Sequence, residues 1–209
     1  IDELVNSNDY IERKATDFDR LFAIDREILF KFLWDTQPDT MESLRKIYKD
    51  VLDDTIVNYL NSEMIKTKGS LLSVLKHGVE ISNYRLYLMY TKPATTFNKE
   101  LLANYEKNIF SVMEEVWAND KERIDLVVFL NGLAIMSFEL KCNMAGQSYE
   151  DAIYQYRTER SPKTRLFLFK AGCLVNFAMD LNEVYMTTKL DGQSTFFLPF
   201  NMGNGEGVN

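Results

Sequence analysis

The stretch from Arg123 to Lys141, RIDLVVFLNGLAIMSFELK, constrains the fold more than any other part of the chain. Two almost wholly apolar runs flank Asn131-Gly132, and Val, Ile and Phe favour strands. An Asn-Gly between two such runs is the strongest short-range hairpin signal a sequence offers. Apolar residues account for a buried ribbon, but not for its charges. Asp125 lies near the start of the first run, and Glu139-Leu140-Lys141 closes the second. Ionised side chains are costly to bury unless they are paired or bound to a metal.

The register decides whether these charges meet. A two-residue turn sets Leu130 opposite Leu133 and Asp125 opposite Phe138, which sends Glu139 to the other face. A three-residue loop, Leu130-Asn131-Gly132, sets Phe129 opposite Leu133 and Asp125 opposite Ser137, with Gly132 in the left-handed position and a bulge. Asp125, Glu139 and Lys141 then share one face, and this second register is the expectation.

Two neighbouring carboxylates repel, and a hard divalent cation between them relieves the repulsion. Mg2+ needs only one or two carboxylates, with water and substrate phosphate completing its shell. Such an ion polarises a phosphoryl oxygen and activates a water. The ammonium of Lys141 suits orienting that water or offsetting the charge that builds on phosphate. Phosphodiester hydrolysis is the chemistry that uses this set. Met alone, a D…ExK pattern is more often a structural ion pair; the apolar hairpin around it is what raises the functional reading.

The bulk properties narrow the alternatives. The net charge of −7 argues against a chain that grips nucleic acid by itself, since affinity for DNA comes largely from Lys and Arg on phosphates. A single histidine, His77, argues against a zinc site or a Ser-His-Asp mechanism. Cys142 and Cys173 lack metal-type spacing and fit a reducing, cytoplasmic setting. No apolar run is long enough to span a membrane. Ile1 at the start and the closing GNGEGVN read as parts of a longer chain.

Taken in order, Ile1 to Asn6 reads as the end of a helix. Asp17 to Trp34 and Met41 to Ser62 carry apolar residues at helical spacing, and Pro38 ends the first of them. Leu71 to Lys76 and Arg85 to Tyr90 read as adjacent strands. Lys99 to Val116 reads as helix or strand; the spacing leans helical, with the last part extended. Beyond the hairpin, Asn143 to Ser148 is a loop. Tyr149 to Arg160 is a helix with Ala152, Tyr156 and Glu159 on one face. Four strands follow: Leu166 to Lys170, Leu174 to Met179, Val184 to Thr188 and Ser194 to Leu198, with a turn at Asp191-Gly192. The expectation is a single α/β domain around a mixed sheet: a helical part over about 1–65, a sheet-containing core over about 66–200, and the start of a linker over about 201–209.

Asp125…Glu139-Leu140-Lys141 is similar to the PD-(D/E)xK nuclease motif, with Ile124 at the proline position. Further blocks, in order, resemble the N-terminal nuclease domain of the restriction (R) subunit of type I restriction-modification enzymes. They are DFDRLFAIDREILFKFLWDTQP, YTKPATTFNKELLANYEKN, the hairpin itself, the Gly146-Gln147 loop, DAIYQYRTER, CLVNFAMDLNEVYMTTKL and TFFLPFN. The resemblance covers nearly the whole chain. It implies a restriction-endonuclease-like fold, a mixed β-sheet flanked by helices, and a Mg2+-dependent endonuclease. It also implies partners: double-stranded DNA, the methylation and specificity subunits of the complex, and helicase-like motor domains of the same chain that use ATP. No membrane is involved.

By position, the resemblance makes Asp125 and Glu139 metal ligands together with the Leu140 carbonyl, and Lys141 the catalytic lysine. Gln155 matches the glutamine of the family's Gln-x-x-x-Tyr motif, whose tyrosine position holds Glu159 here; Tyr156 and Arg157 are the nearest substitutes. An additional metal-binding carboxylate is expected on the first helix, as Glu3 or a residue before Ile1. Arg157, Arg160 and Lys163 are candidate phosphate contacts. The alternative is a catalytically silent nuclease fold used to dock motor domains or partner subunits.

Overall fold

Both expected strands form at the centre of a mixed sheet in the computed structural model, which describes residues 2–95 and 97–201. The elements in chain order are α1 (Asp2–Asn8), β1 (Ile11–Arg13), β2 (Phe18–Asp19), β3 (Ile24–Asp25), α2 (Arg26–Thr36), α3 (Pro38–Tyr48), α4 (Leu52–Ile65), α5 (Leu71–His77), β4 (Val79–Ile81) and β5 (Tyr84–Leu86). Then come α6 (Lys99–Glu106), β6 (Phe110–Trp117), β7 (Arg123–Leu130), β8 (Leu133–Leu140), α7 (Tyr149–Thr158), β9 (Val175–Met179), β10 (Val184–Thr187) and β11 (Leu198–Pro199). The main sheet runs β1-β6-β7-β8-β9-β10-β11, with the β2–β3 pair attached to the start of β8. Strands β1 with β6 and β8 with β9 are parallel; the other neighbours are antiparallel.

Strand β7 is apolar on both faces because both faces are covered. Leu126, Val128 and Leu130 enter a core shared with α2, α3, α4 and α5, while Val127 and Phe129 enter a second core under α7. Helix α7 is the crossover between parallel β8 and β9, and it packs on the sheet through Ala152 and Tyr156. Ser148 and Asp151 form its capping box, which fixes where the helix starts beside the end of β8.

Several expected elements differ. The run Asp17 to Trp34 is helical only from Arg26, because Asp25 caps the helix and Ala23 takes φ 57°. Met41 to Ser62 is split at Lys49, whose φ of 51° interrupts the helix between α3 and α4. Leu71 to Lys76 is helix, not strand: Ser70 accepts the Ser73 N–H at 3.0 Å and Gly78, at φ 68°, ends it. Lys99 to Val116 divides into α6 and β6. Leu166 to Lys170 is a short 3-10 turn and bend where a strand was expected. Residues 202–209, most of the expected linker, lie outside the described residues, as does the side chain of Glu3. Among the described residues no helix is long and apolar enough to cross a membrane.

Candidate active site

The hairpin reaches the expected shared face by a different route. Its turn has two residues, with Leu130 opposite Leu133 and Asn131 and Gly132 at φ 50° and 79°. The three-residue loop is therefore wrong. The register then shifts by one between Val128 and Phe129, because Ile135 is an extra residue on β8. Leu126 faces Phe138 as a result, and one step on the same register sets Asp125 opposite Glu139 rather than Ser137. The bulge falls where β8 changes its outer neighbour: Ala134 N–H donates to Ala23 O of the β3 side, whereas Leu174 N–H donates to Ile135 O ahead of β9. A bulge re-aims the side chains beyond it.

Asp125 is half-buried, and its Oδ2 accepts the Leu140 N–H at 2.8 Å. Opposite it in the β6 register, Glu115 has φ 51°, so the neighbouring backbone leaves strand geometry beside the site. Glu139 is fully buried. Its Oε1 accepts from Arg160 Nε at 2.7 Å, while its Oε2 is buried without a hydrogen-bond partner among the described residues. Burial pushes the Glu139 carboxyl up to about 7; Arg160 opposes that shift and the charge of Asp125 adds to it. Lys141, beyond the strand, donates from Nζ to Gln155 Oε1 on α7 at 2.6 Å. The four expected residues Asp125, Glu139, Lys141 and Gln155 thus gather where the open end of the ribbon meets α7.

Other expected residues serve elsewhere. Arg160 is buried on Glu139 and donates from Nη2 to Arg123 O at 2.9 Å, so it is not exposed to phosphate. Arg157 donates to Thr195 O at 3.0 Å and stacks over Phe197. Tyr156 is a core residue: its hydroxyl meets Ser137 Oγ at 2.9 Å, and burial raises its phenol well above the ordinary value. Both side chains are engaged within the fold. Glu159 is exposed at the end of α7, with Oε2 3.8 Å from Arg160 Nη1. Lys163 is exposed. The partner of Glu139 escaped the sequence reading: Ala152 and Tyr156 form the sheet-facing stripe of α7, and Arg160, two residues past the helix end at Thr158, continues their interval of four. Arg160, not Glu159, is the buried residue there.

A family model for the type I restriction enzyme R protein N terminus matches residues 30–195. The chain belongs to this family. No curated protein matched it in a separate search. Membership in the R-protein family agrees with the observed architecture, a large mixed sheet flanked by helices in the restriction-endonuclease-like manner. The match spans both strands of the hairpin and all of α7, so each gathered side chain lies inside the family region.

The donor set at the open end fits a small, hard cation in one specific respect. An ionised oxygen buried with no donor costs free energy comparable to a lost charged hydrogen bond. Glu139 Oε2 is such an oxygen once the carboxyl is ionised, and it lies beside a second carboxylate. Among the described residues no group of three or more His, Cys, Asp or Glu side chains is placed to hold a metal. Two neighbouring carboxylates are what the site offers, and these suit an ion that keeps much of its water.

Proposed function

We propose that this chain is the Mg2+-dependent endonuclease domain of a type I restriction enzyme R subunit. It would hydrolyse phosphodiester bonds of unmodified double-stranded DNA after ATP-driven translocation by motor domains, within a complex that includes methylation and specificity subunits. The observation that carries the reading is the orphaned Oε2 of buried Glu139 beside Asp125. Asp125, Glu139 and the Leu140 carbonyl would hold the ion. Bound there, Mg2+ supplies Lewis-acid polarisation of the phosphate and a more acidic water. Lys141 brings its ammonium to the attacking water or to the developing phosphate charge, and Gln155 holds that ammonium in place. The acidic net charge of −7 fits a division of labour in which other parts of the complex grip the DNA.

One observation favours a second reading, the catalytically silent docking module: Glu139 already has a cationic partner in Arg160. Calorimetric titration with Mg2+, wild type against Asp125→Ala, tests the metal site; unchanged affinity refutes it. Plasmid cleavage by the reconstituted complex tests catalysis. Lys141→Ala should lower the cleavage rate by about a hundredfold or more, the scale for removing one transition-state donor, with ATP hydrolysis intact. Undiminished cutting would leave the docking module as the better account.

A further inference from the structure

The two acids of the site share a feature that the nuclease reading does not require. Each has one oxygen committed to the protein. Asp125 Oδ2 accepts the Leu140 N–H at 2.8 Å, and Glu139 Oε1 accepts from Arg160 Nε at 2.7 Å. Arg160 is itself held: it is 5% exposed, donates to Arg123 O at 2.9 Å, and has Glu159 Oε2 3.8 Å from Nη1. A guanidinium fixed on three sides is not free to swing off Glu139. The remaining oxygen, Oε2, is buried without a partner among the described residues.

Resting on the nuclease reading above, we propose that Arg160 restricts Glu139 to a single ligating oxygen and thereby selects the divalent cation, favouring Mg2+ or Mn2+ over Ca2+. The reason lies in the shells these ions demand. Ca2+ takes six to eight oxygens and readily uses both oxygens of a carboxylate, whereas Mg2+ demands a near-octahedral shell and keeps several waters. A carboxylate oxygen that already accepts from a guanidinium is the poorer metal ligand, so Glu139 is left to bind chiefly through Oε2. Asp125, with Oδ2 on a backbone N–H, is biased the same way more weakly, and a site that binds through single oxygens suits the smaller ion. Arg160 in this account is a positioning residue: it touches neither DNA nor metal and acts through Glu139.

The test is calorimetric titration with Mg2+ and with Ca2+, without DNA, on the protein as wild type, Arg160→Gln, Arg160→Lys and Asp125→Ala. Arg160→Gln frees Oε1, and the ratio of Ca2+ to Mg2+ affinity should rise about tenfold, one extra carboxylate oxygen in the calcium shell. Arg160→Lys keeps the charge but has too short an arm to hold both Glu139 and the Arg123 carbonyl, so the ratio should move the same way by less. Loss of fold alone would lower both affinities together and leave their ratio untouched. If Asp125→Ala weakens both metals while neither Arg160 variant moves the ratio, the selection role is wrong and the metal site stands. If Asp125→Ala changes nothing, the metal site itself is wrong. Should Arg160→Gln not fold, Arg160→Lys decides. A wild type that binds Ca2+ as tightly as Mg2+, or more tightly, overturns the proposal whether or not the variants fold.

Discussion

The two ends of the β7–β8 ribbon each lie against a buried carboxylate, and they treat it in opposite ways. At the turn end Asp25 is completely satisfied. Its Oδ2 accepts from Arg13 Nε at 2.8 Å, its Oδ1 accepts the Ile28 N–H at 3.2 Å, and its own N–H donates to Gly132 O at 2.8 Å. At the open end Glu139 has one oxygen paired and one orphaned. Buried polar groups in native folds are satisfied, and the exceptions ask for an explanation. The satisfied acid explains a local structure: it caps α2 and ties that helix to the hairpin turn. The unsatisfied acid holds Arg160 through one oxygen, and its other oxygen serves no partner among the described residues; the functional reading rests on that second oxygen.

This contrast is sharpest where the turn is forced. Gly132 sits at φ 79°, and a Cβ there would lie 2.4 Å from Asp25 O and 2.6 Å from Leu29 N. Both are backbone atoms of the capped helix start, so the helix or the turn must move. Gly132→Ala should therefore cost about 4 kcal/mol or more in chemical denaturation, the range of severe steric and backbone strain. Asp25→Ala should follow closely, at about 4 kcal/mol. It removes the cap, at about 1 kcal/mol, and breaks a buried ion pair, at the low end of the usual cost because Arg13 keeps Glu27 at 2.6 Å and Asp17 at 3.3 Å. A loss below about 1 kcal/mol for either would mean the turn end is not over-determined.

The open end should respond with the opposite sign. Glu139 has its carboxyl raised from 4.5 to about 7, so the folded protein binds more protons than the unfolded chain between those values. Stability of the metal-free protein should therefore be greatest below about 4.5 as far as this group is concerned, and fall as pH rises toward 7. Glu139→Gln keeps an oxygen for Arg160 and removes the charge. At pH 8 it should stabilise the metal-free protein by up to about 3 kcal/mol and flatten the pH dependence between about 4.5 and 7. The same substitution should weaken Mg2+ binding. A Glu139→Gln protein less stable than wild type at pH 8 would place Glu139 in the same structural class as Asp25 and erase the contrast.

The contrast also explains which parts of the fold were readable from sequence. The acids and the lysine were readable because they interrupt an apolar ribbon, and because side-chain alternation limits which of them can share a face. The route to that shared face was not. Whether Ile135 bulges depends on β8 leaving β3 for β9, a tertiary event that two strands considered alone do not contain. The helix α5 was misread because a short apolar run such as Leu71 to Leu75 has no decisive period, although Ser70 before it and Gly78 after it are helix-boundary residues. Arg160 was placed on the surface because Arg is mostly exposed; only its spacing of four from Tyr156 pointed inward.

Gln155 gives the smallest effect on stability and isolates the remaining step of the proposed chemistry. Its side chain accepts from the Lys141 ammonium at 2.6 Å, a contact between two half-buried side chains. A single side-chain hydrogen bond of this kind contributes about 1 kcal/mol at most when water can replace it, so Gln155→Ala should leave the fold within about 0.5 kcal/mol of wild type. Among the described residues Gln155 makes no hydrogen bond to either carboxylate, so Mg2+ affinity should not change. The cleavage rate of the reconstituted complex should nevertheless fall about tenfold, since a freed ammonium samples positions away from the reacting phosphate. Gln155→Glu should fall further, because a carboxylate locks the lysine in a charge-assisted pair instead of lending it. A rate lost together with metal affinity would mean that Gln155 acts on the acids rather than on Lys141. A rate unchanged in both variants would mean that the ammonium reaches the phosphate without help from α7, and that this segment serves the open end through Arg160, just past the helix.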